Sequence, residues 1–151
     1  MNNSWGPITW YVFHGLAEKI KEDLFYENKA QMIALIRAIC NNIPCPECRE
    51  HAKFTLQKLK IETINTKEDF QKFLWSFHNI INKKRGIEIF TFDDCKKKYE
   101  KINLDKTVHS FILLWSKNLN IVRLMSDSLH RNLFLDKFSK WYLENRDKFD
   151  S

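Results

Sequence analysis

Apolar side chains recur every three or four residues along most of the chain, which is the period of amphipathic helices. The first stripe runs Trp10, Phe13, Ala17, Ile20, Leu24, with His14 on the same face one turn after Trp10. Ser4 stands where it can cap this helix, and Pro7 falls in the first turn, where a missing N–H costs nothing. A second helix is predicted over residues 29–42, with Met32, Leu35, Ile36, Ile39 and Ile43 inward and Cys40 in its last turn. It must stop before Pro44. Pro46 opens a third helix, reaching about residue 59, with Cys48, Ala52, Leu56 and Leu59 on one side. Thr66 and Asp69 form a capping pair for a fourth, whose stripe is Phe70, Phe73, Leu74, Phe77, His78, Ile81 and whose stop is Gly86. A short fifth, over about 92–102, carries Cys95 and Tyr99 one turn apart.

After Leu104 the pattern restarts as two further amphipathic helices, broken near residues 130–132. They hold no cysteine, so they form an extension that packs or pairs rather than reacts. Trp115, Phe134 and Trp141 make it too apolar for a loose tail, and both core packing and a dimer surface would use them. The expected fold class is all-α: a four-helix bundle with a short fifth helix over residues 1–103, then a helical extension over 104–151.

Composition agrees with that fold. The chain has 151 residues, 44% hydrophobic and 29% charged, with only three Gly and three Pro, which favours helices over many short strands. A net charge of +6 would permit weak attraction to nucleic acid or an acidic membrane surface, but it is dispersed. The run Lys96, Lys97, Lys98 follows Asp93 and Asp94 and reads as a solvated helix face, so no nucleic-acid partner is expected. MNNSWGPITW has neither a basic start nor an apolar core of a secretory signal, and no stretch approaches the roughly 18 apolar residues of a membrane span. A cytoplasmic location, or a compartment reached without cleavage, is therefore expected. In such a reducing setting four cysteines do not imply two structural disulfides.

The segment IPCPECREH holds Cys45 and Cys48 in a C-x-x-C spacing. At the mouth of a helix Cys45 meets unsatisfied N–H groups and the positive end of the macrodipole, which favour its thiolate. Cys48, one turn inward, can close a disulfide with it. Cys45, Cys48 and His51 also offer three ligands to zinc, although Cys40 and Cys95, isolated elsewhere, supply no second paired half. Haem attachment fails because Arg49, not His, follows Cys48. Redox pair, zinc edge and inert surface pair all remain open at this point. A second cluster, FLWSFHNIIN, sets Phe73, Trp75, Phe77, His78, Asn79 and Asn82 on about three helical turns. Taken singly each is an ordinary core residue; together they offer flat surfaces and polar groups for a planar heterocycle.

Three motifs in order, W-G-P-x-x-W-x-x-x-H (Trp5, Gly6, Pro7, Trp10, His14), C-P-x-C-x-x-H (Cys45, Cys48, His51) and H-N-x-x-N (His78, Asn79, Asn82), resemble the Erv/ALR family of FAD-linked sulfhydryl oxidases, and in particular its short viral members. The resemblance implies bound FAD, a homodimer, and an enzyme that oxidises protein thiols at a Cys45–Cys48 disulfide and passes electrons to molecular oxygen, giving hydrogen peroxide. It implies that Cys45 faces substrate while Cys48 lies against the isoalloxazine ring. Trp10, His14 and His51 would line the flavin, His78, Asn79 and Asn82 would hold the adenosine half, and Trp5, Gly6 and Ile81 would also bind the cofactor. Lys83 or Lys84 would meet the pyrophosphate and Tyr99 would lie against the cofactor. Viral relatives imply disulfide formation in virion proteins, with a location in host cytoplasm, virus factory or virion. Two departures stand out. Trp75 occupies the place of a cysteine that many cellular relatives pair with the following segment, leaving Cys95 without that partner. Neither end carries a shuttle cysteine pair, so substrates reach Cys45 directly unless Cys40 or Cys95 acts as a relay. The alternative is a zinc-stapled helical interaction module using Cys45, Cys48 and His51.

Overall fold

A computed structural model describes residues 5–117 and 125–151. Among them are seven α-helices and no strand: α1 (Trp5–Lys19), α2 (Glu22–Asn41), α3 (Pro46–Gln57), α4 (Lys67–Lys84), α5 (Phe92–Tyr99), α6 (Leu104–Ser116) and α7 (Met125–Asn145). None is long and apolar enough to cross a membrane. The all-α expectation holds. Ser4, proposed as a cap, and residues 118–124 of the first extension helix lie outside the described residues.

Local signals placed most helix ends. Thr66 and Asp69 close a reciprocal capping box on α4, with Asp69 N–H donating to Thr66 Oγ1 at 3.0 Å and Thr66 N–H to Asp69 Oδ2 at 3.1 Å. The Asn65 N–H, which also donates to Asp69 Oδ2 at 3.0 Å, and then the Thr66 N–H hold the Asp69 carboxyl below its ordinary range. Past the end of α4, Gly86 takes a φ of 71°, a conformation that favours glycine. Cys45 caps α3 and Pro46 sits in its first turn.

Two boundaries differ from expectation. The first stripe was read through to Leu24, yet α1 stops at Lys19 and α2 begins at Glu22 rather than residue 29. Here the far end of the chain arrives: Ile20 forms an isolated antiparallel bridge with Phe149, and Lys21 N–H donates to Lys148 O at 2.9 Å. Glu22 and Asp23 then complement the α2 N-terminus. The expected break at residues 130–132 is also wrong, because α7 runs through it. Polar HRN reads as an interruption in the sequence, but Arg131 is only 2% exposed and heads the buried stripe Arg131, Leu135, Phe138, Tyr142.

Helix α1 lies at the centre and packs on α4, α5 and α6, while α2 and α3 close the bundle against α4. Val12, Phe13, Leu16, Phe25, Ile36, Phe70, Leu74 and Phe77 make its core. α6 extends that core with Val108, Phe111 and Trp115, and the Trp115 indole donates to Thr9 Oγ1 on α1 at 2.9 Å. At Gly15 a Cβ would meet Ile102 Cδ1 at 3.1 Å and Leu104 Cδ1 at 3.2 Å, so a bare backbone lets the α5–α6 connection press against α1. Helix α1, which carries Trp10 and His14, is thus held on one side by α6.

Candidate active site

The turn between α2 and α3 presents the C-x-x-C. Cys45 and Cys48 are joined as a disulfide with a Cα–Cα distance of 5.2 Å, and both are half-buried. The Cys48 N–H donates to Cys45 Sγ at 3.2 Å, so the helix-start donor meets the sulfur that the sequence marks as nucleophile. The carbonyls just before the turn are held by guanidiniums: Arg49 Nη1 donates to Ile43 O at 3.1 Å and Arg131 Nε to Asn42 O at 3.0 Å. His51 is exposed on α3, away from a shared ligand set, and among the described residues no three His, Cys, Asp or Glu side chains come together for a metal ion. The zinc reading therefore gains no support, and the arrangement is one for thiol–disulfide exchange.

A second group forms where α1, α4 and α5 meet. Trp10 and His78 stack in parallel, ring centroids 3.9 Å apart at 4°, and His14 stacks on Tyr99 at 4.2 Å and 19°. His14 Nε2 and His78 Nδ1 are hydrogen-bonded at 2.9 Å, and His14 Nδ1 lies 3.6 Å from Cys95 Sγ. Burial, reinforced by His78 and Lys98, holds His14 well below the usual histidine range. Burial and then Lys98 take His78 down to about 4. Both rings are accordingly neutral near pH 7. Burial pushes the Cys95 thiol up to about 12 and raises Tyr99 as well. A protonated Cys95 donating to His14 Nδ1 leaves His14 Nε2–H to donate to His78, one consistent proton order assigned from the network. The result is a largely buried, uncharged set of flat faces.

The remaining predicted residues divide clearly. Asn79 spends its amide on the following segment: Nδ2 donates to Phe90 O at 2.8 Å, and Phe90 N–H donates to Oδ1 at 3.2 Å. The Trp75 indole joins it, donating to Phe90 O at 2.8 Å. Trp75, which the sequence marks as a member of the flat-surface cluster and as a missing cysteine, is a non-covalent clamp on Phe90. Asn82 is buried and its side-chain amide has no hydrogen-bond partner among the described residues. That spare polar group beside the flat rings fits a heterocyclic cofactor. Lys84 reaches α3, 3.5 Å from Thr55 Oγ1, and Lys83 is exposed. Ile81 and Trp5 are half-buried against the core, and a Cβ on Gly6 would meet nothing within 4 Å. Trp10, His14, His78 and Tyr99 converge; His51 and Lys83 do not join them. The roles of Trp75, Phe90 and Arg131 were missed, the last without any sequence signal.

Comparison with known proteins adds a lineage. The model of the Erv1/Alr family matches residues 7–101. An FAD-linked sulfhydryl oxidase of African swine fever virus is 34% identical, over 74% of this chain and 96% of that protein. The FAD-linked sulfhydryl oxidase ERV1 of Oryza sativa subsp. japonica is 24% identical over 65% of this chain and 50% of its own. The probable FAD-linked sulfhydryl oxidase FPV093 of fowlpox virus is 30% identical over 56% and 87%. No solved structure matches.

Proposed function

The chain belongs to the Erv1/Alr family, and from that premise we propose that it is an FAD-dependent thiol oxidase that exchanges disulfides through Cys45 and Cys48. The observation that carries this assignment is the Cys45–Cys48 disulfide at the start of α3, with a helix N–H donating to Cys45 Sγ. A substrate thiolate attacks Cys45 Sγ, the bond to Cys48 breaks, and Cys48 leaves as thiolate. A second substrate thiol then resolves the mixed disulfide at Cys45. Substrate has lost two electrons to the pair, which is left as two thiols. The chemistry FAD supplies when bound is acceptance of those two electrons and their delivery to molecular oxygen, with hydrogen peroxide as product.

The chain's own groups suit that cofactor. Trp10, His14, His78 and Tyr99 provide flat, neutral faces, and the Asn82 amide supplies an unspent donor and acceptor. Neutral imidazoles matter because a buried cation there would oppose the rest of the desolvated site. Lys83 and Lys84 at the end of α4 are the cations for a pyrophosphate. Trp5, Gly6, Ile81, Asn79, Cys48 and His51 complete the set by family correspondence, with Asn79 acting through its hold on Phe90. The proposal includes protein thiols as substrates, a homodimer, and a cytoplasmic setting such as a host cytoplasm or virus factory. It also takes residues 1–103 as the oxidase domain and 104–151 as an extension continuous with its core, supported by a family match that ends at residue 101 where α6 starts at Leu104.

Purified protein tests this directly. The expected sample is yellow, holds about one FAD per chain by its absorbance, and consumes oxygen when given dithiothreitol. A colourless protein with stoichiometric zinc and no thiol-dependent oxygen uptake would establish the interaction module instead.

A further inference from the structure

Ahead of Cys45 the backbone has few hydrogen bonds of its own, since the strong bond of the turn, Arg49 N–H to Cys45 O at 2.9 Å, lies on its α3 side. Pro44 and Pro46 lack N–H donors, and the Ile43 N–H reaches Cys40 O only at 3.4 Å. What fixes the approach to Cys45 is therefore the pair of carbonyls ahead of it. Arg49 takes Ile43 O from within α3, and Arg131 takes Asn42 O, the cap of α2, from α7. Arg131 stands 89 residues along the chain from Asn42 and outside the region matched by the family model.

The position of Arg131 is informative because packing alone would not choose it. Residues 135, 138 and 142 on the same buried stripe are Leu, Phe and Tyr, and Arg131 is 2% exposed among the largest fully buried side chains. Burying a guanidinium is unfavourable unless its donors are used, and the terminal carbonyls of a helix are the acceptors that most need a cationic donor. We infer that Arg131 is a positioning residue for the redox turn: the C-terminal extension reaches back through α7, caps α2, and thereby sets where Cys45 is presented to substrate thiols. This rests on the assignment of Cys45 as the sulfur that substrate attacks.

The test compares Arg131→Gln, Arg131→Lys and Leu135→Ala in the full-length FAD-loaded protein. Leu135 is the next buried position on the stripe, so its truncation loosens α7 while sparing the cap. For each variant one measures the anaerobic rate at which dithiothreitol opens Cys45–Cys48, read as alkylation of the freed thiols, alongside Tm and bound FAD. Arg131→Gln should slow opening roughly tenfold, the scale expected when a reacting atom is displaced by less than an ångström. Leu135→Ala, at an equal or larger loss of Tm, should leave the rate unchanged, and Arg131→Lys should recover most of it. A wild-type rate in Arg131→Gln, or slowing no greater than that of Leu135→Ala, overturns the inference. Should Arg131→Gln fail to fold, Arg131→Met, which keeps the buried volume and loses the donor to Asn42 O, carries the same expectation, and an unchanged rate there overturns it equally. Mapping the first thiol adduct in wild-type protein keeps the underlying assignment separate: an adduct at Cys48 would overturn the role of Cys45 whatever the variants do.

Discussion

The four cysteines occupy two environments. Cys45 and Cys48 are half-buried at a helix mouth, joined to each other, with an N–H donor on one sulfur. Cys40 and Cys95 are buried, and burial pushes each thiol up to about 12. The same side chain is thus prepared for exchange where helix donors and water stabilise a thiolate, and kept inert where a low dielectric penalises one. Location relative to a helix terminus, rather than the residue type, decides reactivity.

The sharpest way to break this contrast is Cys48→Ser. Oxygen uptake with dithiothreitol should fall on the order of a thousandfold or more while bound FAD is kept, since exchange and cofactor retention use different atoms. Retained turnover would show that the reactive pair lies elsewhere. Next in size is His78→Ala, which removes both the Trp10 stack and the His14 hydrogen bond. FAD content after gel filtration should drop, and unchanged content would place the cofactor away from this cluster.

The pH dependence of stability sharpens the comparison from the buried side. The folded pKa of His78 is about 4 against an unfolded value near 6.5, so the unfolded chain binds more protons between those limits. Stability is fully present above the unfolded value and is lost as pH falls toward 4, by on the order of 3 kcal/mol at the limit. The buried thiols act in the opposite direction: their raised values mean stability present below about 9 and lost as pH rises through the 9–12 range. Urea midpoints between pH 7 and 4.5 that stay level would show that His78 is solvated. The smallest effect belongs to Cys40→Ala, expected to cost about 1 kcal/mol by thermal unfolding with turnover on dithiothreitol unchanged. A large loss of turnover on protein substrates alone would instead make that cysteine a relay.

Much of this was legible before the structure. The α4 capping box, the stop at Gly86 and the placement of Cys45 at the start of α3 are local, each set by residues three or four apart. The convergence of Trp10, His14, His78 and Tyr99 follows from faces that the stripe already marked. The division at Ile20 was hidden, because it depends on Phe149 arriving from the other end of the chain. Trp75 looked like a lost cross-link, and only the position of Phe90 turns it into a clamp. Arg131 was misread as a helix break because a buried arginine carries the sequence signature of an exposed one.

Most of the helices, the faces they bury and the C-x-x-C at the mouth of one of them can be read from the chain alone, whereas the α1–α2 division and the unbroken run of α7 cannot. Periodicity and capping encode the former within a turn or two. Tertiary structure alone decided which polar groups are buried together: His14 with His78 and Cys95, Asn79 with Phe90, and Arg131 with the Asn42 carbonyl. A buried donor needs an acceptor in space, and no local pattern specifies which distant segment will supply it.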